Sequence, residues 1–369
     1  MTIEEICLFY AGEPPDSCEV RDIRTQDGDF RRAAFPVWGD AGRRIVIKLC
    51  DNAFSPPERI SGWNSVMEEY RRIGVYCPRI LPNRHGRLAE SVEFEGHTCT
   101  VFAEEFARHR IAEDFPETEI RGEGGYCYRE DALRTVGLMA SRRLRLPEVT
   151  WRSGYTLFEK FSPDDPSDEA MECADLCRGL VEQHFPEWRE RFDRIWAMYT
   201  DNRAQLEPLW RELPTSVFQA DLNAGNILLD EEKRFAGLID FNLSGCETSL
   251  VYIFFTARNF NDDIPKPADA DQELFYNAEL DRLSLASFLR NLALIGRFYR
   301  YTPEEKAAAP LLYRYMRPFW WEQYHALMKL KDASEAERQD KGERLLHWLE
   351  RELTRTDIDF AGAMAGTSV

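Results

Sequence analysis

The stretch Phe218 to Asp230, followed by Gly237-Leu238-Ile239-Asp240-Phe241, constrains this chain more than any other segment. Asp221 and Asn226 stand five apart on a short polar loop, and Asn226 opens the apolar run Ile227-Leu228-Leu229. The turn-like Asp230-Glu231-Glu232-Lys233-Arg234 leads to a second apolar run, Phe235 to Ile239, which ends at Asp240. Two short apolar runs joined by a charged turn read as a β-hairpin. A hairpin of that length folds Asp240 back beside Asn226 and within reach of Asp221. Two carboxylates and an amide so placed suit phosphoryl transfer: Asn226 and Asp240 can hold Mg²⁺ through hard oxygen atoms while Asp221 orients a hydroxyl nucleophile. Taken alone, each residue reads as a turn cap or a strand end. The three in register on one strand-turn-strand pattern point to chemistry.

The same stretch resembles the catalytic core of the aminoglycoside phosphotransferase and choline kinase family, relatives of protein kinases. The usual loop of that family is His-Gly-Asp-x-x-x-x-Asn, with an Ile-Asp-Phe or Ile-Asp-Trp strand end roughly twenty residues on. The resemblance implies that Asp221 is the catalytic aspartate and that Asn226 and Asp240 bind metal. It also implies ATP or another NTP with Mg²⁺ as cofactors, and the hydroxyl of a small molecule as acceptor. The implied fold is α+β and protein kinase-like, with two lobes. Residues 1–106 would form a β-rich nucleotide-binding lobe, 107–360 a helical lobe with the catalytic hairpin and substrate site, and 361–369 a disordered tail. Gln219 stands where the family has its loop His, which supports the loop by hydrogen bonds that Gln can also make. After Asp240 the chain reads Asn242-Leu243-Ser244-Gly245-Cys246-Glu247, so the family's Gly-Asp-Pro continuation is lost and Glu247 is its partial substitute.

A chain of 369 residues suits two lobes around a cleft, and 44% hydrophobic content with 12% aromatics supplies a sizeable core. No stretch approaches the roughly 18 uncharged apolar residues of a membrane helix. The start, Met1 to Ile6, is acidic where a signal peptide would be basic, and the nine scattered cysteines include no Cys-x-x-Cys pair. Cys173 and Cys177 fit one helix face, and an odd, unpaired set points to reduced thiols and the cytoplasm. A net charge of −18 argues against nucleic acid as a partner. It is compatible with a cationic small molecule, and equally with simple solubility.

The first hundred residues read as β-rich. Val20 to Arg24, Arg32 to Trp38 and Arg43 to Leu49 are short strand-like runs, with the turn Thr25-Gln26-Asp27-Gly28-Asp29 in the place of a phosphate loop. Lys48 lies inside the apolar third run, where burial requires an anion. It resembles the kinase lysine that meets the α- and β-phosphates; the alternative is an edge lysine facing solvent. A helix over Ile60 to Ile73 stops at Gly74 and Pro78. Its Lys-pairing Glu would align with Trp63, so Glu69, flanking the apolar face, becomes the candidate partner of Lys48. A hairpin over Arg87 to Phe94 and His97 to Phe102 runs into a hinge at Ala103 to Phe106, whose Glu105 and Phe106 backbone would meet an adenine edge.

From residue 107 helical spacing dominates: Arg129 to Leu144, Asp168 to Gln183, Trp188 to Leu213 with a break at Pro208, and segments between Asp281 and Arg300. For the substrate, two alternatives stay open at each candidate feature. Phe319, Trp320, Trp321 and Tyr324 either face a quaternary ammonium or pack in the core. Asp262, Asp263 and Glu247 either receive an ammonium group or form a solvated acidic surface. Two functions remain: a small-molecule O-phosphotransferase for an aminoglycoside, choline, ethanolamine or similar acceptor, or a kinase-fold regulatory protein with little catalysis, which Gln219 and Trp63 favour.

Overall fold

The computed structural model describes residues 1–22, 31–39, 42–116, 120, 127–260 and 274–366. The turn at 25–29 and the acidic pair at 262 and 263 fall outside them. The N-terminal part comprises α1 (Ile3–Ala11), β1 (Ser17–Asp22), β2 (Arg31–Trp38), β3 (Gly42–Arg43), β4 (Ile45–Cys50), α2 (Pro57–Arg72), β5 (Ile80–Leu81), β6 (Ala89–Phe94) and β7 (His97–Glu105). Its strands form one seven-stranded antiparallel sheet with the path β1-β2-β4-β7-β5, β3 joining β2 and β6 joining β7. The sheet has two covered faces. Side chains alternate along β4: Ile45, Ile47 and Leu49 are buried in a core shared with Ile6 and Cys7 of α1. Val46, Lys48 and Cys50 therefore point to the opposite face, toward α2 and the cleft. Helix α1 has no counterpart in the sequence reading, although Thr2 and Glu5 make a reciprocal capping box at its start.

The C-terminal part is mostly helical. In chain order it contains β8 (Arg110–Ile111), α3 (Tyr128–Arg142), α4 (Glu169–His184), α5 (Arg189–Glu212), β9 (Thr215–Phe218), β10 (Ile227–Leu229), β11 (Phe235–Leu238) and β12 (Gly245–Thr248). These are followed by α6 (Ser249–Asn259), α7 (Ala278–Ile295), α8 (Pro303–Met316), α9 (Trp321–Lys331), α10 (Glu335–Thr354) and α11 (Phe360–Ala363). Strands β10 and β11 form the expected hairpin, extended on its other side by β8, while β9 pairs with β12. The expected break at Pro208 does not occur; α5 runs through it to Glu212. A proline that close to a helix end removes a single backbone donor, and the fixed φ of its ring is helical. Nor does the chain fray at Ala361. Asp359 caps α11 through the Gly362 N–H, the Phe360 ring lies 5.9 Å from that of Phe254, and Met364 is buried.

Helix α2 is fastened to the helical part. Arg142 of α3 donates to the Glu69 carbonyl at 3.0 Å and also pairs with its carboxylate, and Gly62 lies flush against Trp151. The chain after α2 then locks onto the hairpin. Tyr76 forms a parallel bridge with Gly237, its N–H donating to the Ala236 carbonyl and its carbonyl accepting from Leu238. A Cβ at Gly237 would sit 2.1 Å from the Tyr76 carbonyl oxygen. The Gly237→Ala variant should therefore lose about 1–3 kcal/mol in urea unfolding, because backbone rather than a flexible side chain blocks the methyl group.

Candidate functional site

The site is assembled by backbone that only tight packing can hold. Strand β9 delivers Phe218, whose ring stacks on Tyr252 at 4.2 Å, and the chain then passes through Ala220 at φ 66°. Asp240, beyond β11, sits at φ 54°. Two non-glycine residues in the left-handed region, one beside Asp221 and one at Asp240 itself, mark stored strain of the kind concentrated at functional sites. The buried side chain of Gln219 joins the two loops. Its oxygen accepts from the Asp221 N–H at 2.8 Å, and its nitrogen donates to the carbonyls of Ile239 at 3.1 Å and Asp240 at 2.6 Å. Its own N–H donates to the Tyr70 phenol of α2 at 3.1 Å.

Around Asp221 the donors are dense. Asn223 Nδ2 reaches Oδ1 at 2.9 Å, Tyr155 donates to the same oxygen at 3.4 Å, and Asn226 Nδ2 reaches Oδ2 at 2.7 Å. Burial raises the Asp221 pKa and the nearby Asp240 charge adds to that, while these hydrogen bonds pull the other way. Asn226 also donates to the Asp221 carbonyl, and its carbonyl oxygen in turn accepts from the Ile239 N–H at 2.9 Å. Asn226 is thus fixed between the loop and the strand that carries Asp240, with its amide nitrogen committed to Asp221 and its side-chain oxygen left for a cation.

Lys48 meets this group from the sheet. Its Nζ lies 3.1 Å from Glu104 Oε2 and 3.8 Å from Asp240 Oδ1. Burial alone would lower its pKa, but the carboxylates of Glu104 and Asp240 outweigh that and raise it. The expected Lys48–Glu69 pair is not formed: Glu69 is taken by Arg72 and Arg142. Trp63, buried on the sheet-facing side of α2, meets Phe102 edge-on at 5.8 Å, so the helix presents an aromatic ring rather than an acid here. Glu104 was missed in the sequence, yet strand register could have found it. Lys48 pairs with Phe102 on β7, so Glu104, two residues along, shares its face. At the hinge, the N–H groups of Glu105 and Phe106 are spent on the carbonyls of Arg79 and Arg44, so neither is free to donate to an adenine.

A cleft of about 420 Å³ opens between the β4–α2 connection and the helical part. Asn52 and Phe54 line one side, and Asp164, Asp165, Glu169, Glu172 and Trp321 line the other. Both polar atoms of the Asn52 amide are buried without a partner among the described residues. Glu169 accepts from the Trp321 indole at 2.8 Å, and burial, with Glu172 and Asp165 alongside, pushes its pKa up to about 7. Of the aromatic group considered for the substrate, Trp321 reaches the cleft; Phe319 is in the core against Phe192 and Tyr199, and Trp320 packs on Phe255. Glu247 cannot receive a substrate ammonium: it is fully buried and bonded to Ser153 Oγ and the Thr248 N–H.

Two measurements follow from these carboxylates. Glu104→Gln should weaken nucleotide binding about tenfold in a calorimetric titration, about 1.4 kcal/mol, while Glu69→Gln should leave affinity intact and lower stability by on the order of 2 kcal/mol. Burial raises the Glu247 pKa from 4.5 to about 7. Between those values the folded protein keeps a proton that the unfolded chain releases, so this stabilising contribution falls as pH rises toward 7. The Glu247→Gln variant should remove on the order of 3 kcal/mol of that decline, read as a flatter plot of unfolding free energy against pH.

Residues 22–286 match the phosphotransferase enzyme family (APH). No curated protein matches the sequence. Among solved structures, the amicoumacin kinase hAmiN in complex with AMP-PNP, Ca²⁺ and Ami is similar over 98% of this chain and 95% of that one, at 14% identity and a TM-score of 0.52. The microcompartment-associated aminopropanol kinase follows at 13% identity, 98% and 97% coverage and a TM-score of 0.48. A thermostable mutant of aminoglycoside phosphotransferase APH(4)-Ia with ADP and hygromycin B gives 15% identity, full coverage of both chains at 100% and a TM-score of 0.42. The first of these shows the shared fold, an N-terminal antiparallel sheet on a largely helical part. With 22–286 matched, the chain belongs to the phosphotransferase enzyme family (APH).

Proposed function

We propose that this chain transfers the γ-phosphoryl group of ATP, with Mg²⁺, to a hydroxyl of a small amine-bearing molecule. The observation that carries this reading is the Gln219 clasp, which holds the Asp221–Asn226 loop against Asp240, next to an acidic cleft whose lining residues Gly154 and Thr156 flank the Tyr155 that donates to Asp221. Residues 1–106 would serve the nucleotide and 107–360 the acceptor. Asp221 accepts the acceptor's hydroxyl proton, and Lys48, braced by Glu104, steadies the α- and β-phosphates. Asn226 and Asp240 are the residues that would hold Mg²⁺, which neutralises phosphate charge. Their donor set fits that ion. Among the described residues no cluster of three or more His, Cys, Asp or Glu forms a complete cage, and Mg²⁺ commonly takes one or two protein oxygens together with substrate phosphates. Transfer of this kind depends chiefly on positioning and charge neutralisation, so these few groups suffice.

The acidic lining argues for a cationic acceptor. Asp164, Asp165, Glu169 and Glu172 face one cavity, beside the Trp321 ring. An ammonium group there would relieve their mutual repulsion and favour the charged form of Glu169. Thermal unfolding with ATP, with Mg²⁺ and with both tests the nucleotide site. A stabilisation that needs both ligands and disappears in Asp240→Ala supports the reading. Asp221→Asn should keep that stabilisation and lose at least a hundredfold in turnover. ADP release would then be measured with hygromycin B, aminopropanol, choline, homoserine and the uncharged glycerol. A preference for glycerol over every amine would overturn the cationic assignment, and absence of nucleotide binding would point instead to a regulatory protein.

A further inference from the structure

Asp221 has two carboxylate oxygens, and the structure gives them unequal surroundings. A carboxylate offers about four acceptor positions, two on each oxygen. Oδ1 receives both Asn223 Nδ2 at 2.9 Å and the Tyr155 hydroxyl at 3.4 Å. Among the described residues, Oδ2 receives Asn226 Nδ2 alone, at 2.7 Å. One acceptor position, on Oδ2, remains for a substrate hydroxyl. Tyr155 differs from the two asparagines in origin: it comes from the segment between α3 and α4, whose Gly154 and Thr156 line the acidic cleft. Its ring is also held. It stacks on Phe255 at 4.6 Å with an interplanar angle of 22°, and Phe255 is itself buried against Trp320.

We propose that Tyr155 is a positioning residue that divides the duties of the Asp221 carboxylate, keeping Oδ1 as a fixed acceptor and leaving Oδ2 to take the proton of the acceptor hydroxyl. The inference rests on the assignment of Asp221 as the proton acceptor. In the transfer step the acceptor O–H proton passes to Oδ2 and the freed oxygen electron pair forms the bond to the γ-phosphorus. The bond from that phosphorus to its β-bridging oxygen breaks, its electrons leaving with ADP. The Tyr155 proton stays on the phenol throughout, consistent with burial and the flanking Asp221 and Glu169 raising the phenol's pKa. The charged groups that bear on Asp221 are Asp240, which is itself tied to Lys48, and Glu169 across the Tyr155 ring.

The test needs no knowledge of the natural acceptor. Tyr155→Phe keeps the ring stack and removes the donor, so hydrolysis of MgATP by water should fall about tenfold in kcat, with little change in KM for MgATP and a melting temperature nearly unchanged. Site-specific 3-fluorotyrosine at position 155 keeps a donor and should retain the parent kcat, which keeps the test open if the Phe variant folds poorly. An unchanged kcat in Tyr155→Phe, in a protein whose Asp221→Asn variant is inactive, overturns the role of Tyr155 alone. Full turnover by Asp221→Asn overturns the proton-acceptor assignment and this inference together.

Discussion

The Gln219 side chain spends its oxygen on the Asp221 N–H and its nitrogen on the carbonyls of Ile239 and Asp240, all within a fully buried environment. Both neighbouring backbones are in left-handed conformations that a β-carbon disfavours, at Ala220 and Asp240. Neither loop could relax its strain without stranding buried polar groups, an outcome worth about 1–3 kcal/mol per group. The amide therefore converts two individually unfavourable turns into one rigid unit. Every other component of the site refers to it: Asn226 is positioned by the same hairpin, Tyr70 of α2 accepts from the Gln219 N–H, and Lys48 reaches Asp240 from above. A histidine in that position is not required, because a primary amide offers an acceptor and two donor hydrogens in a fixed plane.

Helix α2 belongs mechanically to the helical part of the molecule although its sequence lies within the sheet-forming part. Glu69 is held by Arg142, Gly62 fits against Trp151, and Arg59 reaches the Phe161 carbonyl at 2.9 Å. Between α2 and the sheet the contact is apolar, Trp63 against Phe102, and such a surface tolerates small sliding more readily than a hydrogen-bonded one. The Phe54 and Phe161 rings meet at 5.1 Å where the two walls of the acidic cleft approach each other. The cleft is thus framed by one sheet resting on a helix anchored elsewhere.

The sequence made the fold class and the β10–β11 hairpin legible for local reasons. A strand-turn-strand of this size is written in consecutive residues, and it alone brings Asn226 to Asp240. The alternation along β4 likewise marked Lys48 as an exception on an otherwise apolar strand. What stayed hidden depends on contacts distant in sequence. Tyr155 reaches the site from a segment with no strong periodicity and Glu169 from the first turn of α4, and nothing near Asp221 announces either of them. Glu69 was chosen from its place on a helical wheel, which shows that it is half-turned to the core but not that Arg142, 73 residues on, waits there. Helix α1 was overlooked because its short apolar stretch gains stability by covering the sheet rather than from its own length.

Lys48 and Glu104 lie on neighbouring strands, on a diagonal two residues out of direct pairing in the β4–β7 register. Once those two strands zip together, the lysine and its carboxylate are already in company. Folding of the sheet and readiness of its cation are a single event, with no later docking step between them. Where the acid sits on a mobile helix, a cell can hold finished protein idle by tilting that helix away. Here the lysine's partner lies on the neighbouring strand of its own sheet, so a tilt of α2 leaves the Lys48–Glu104 pair intact.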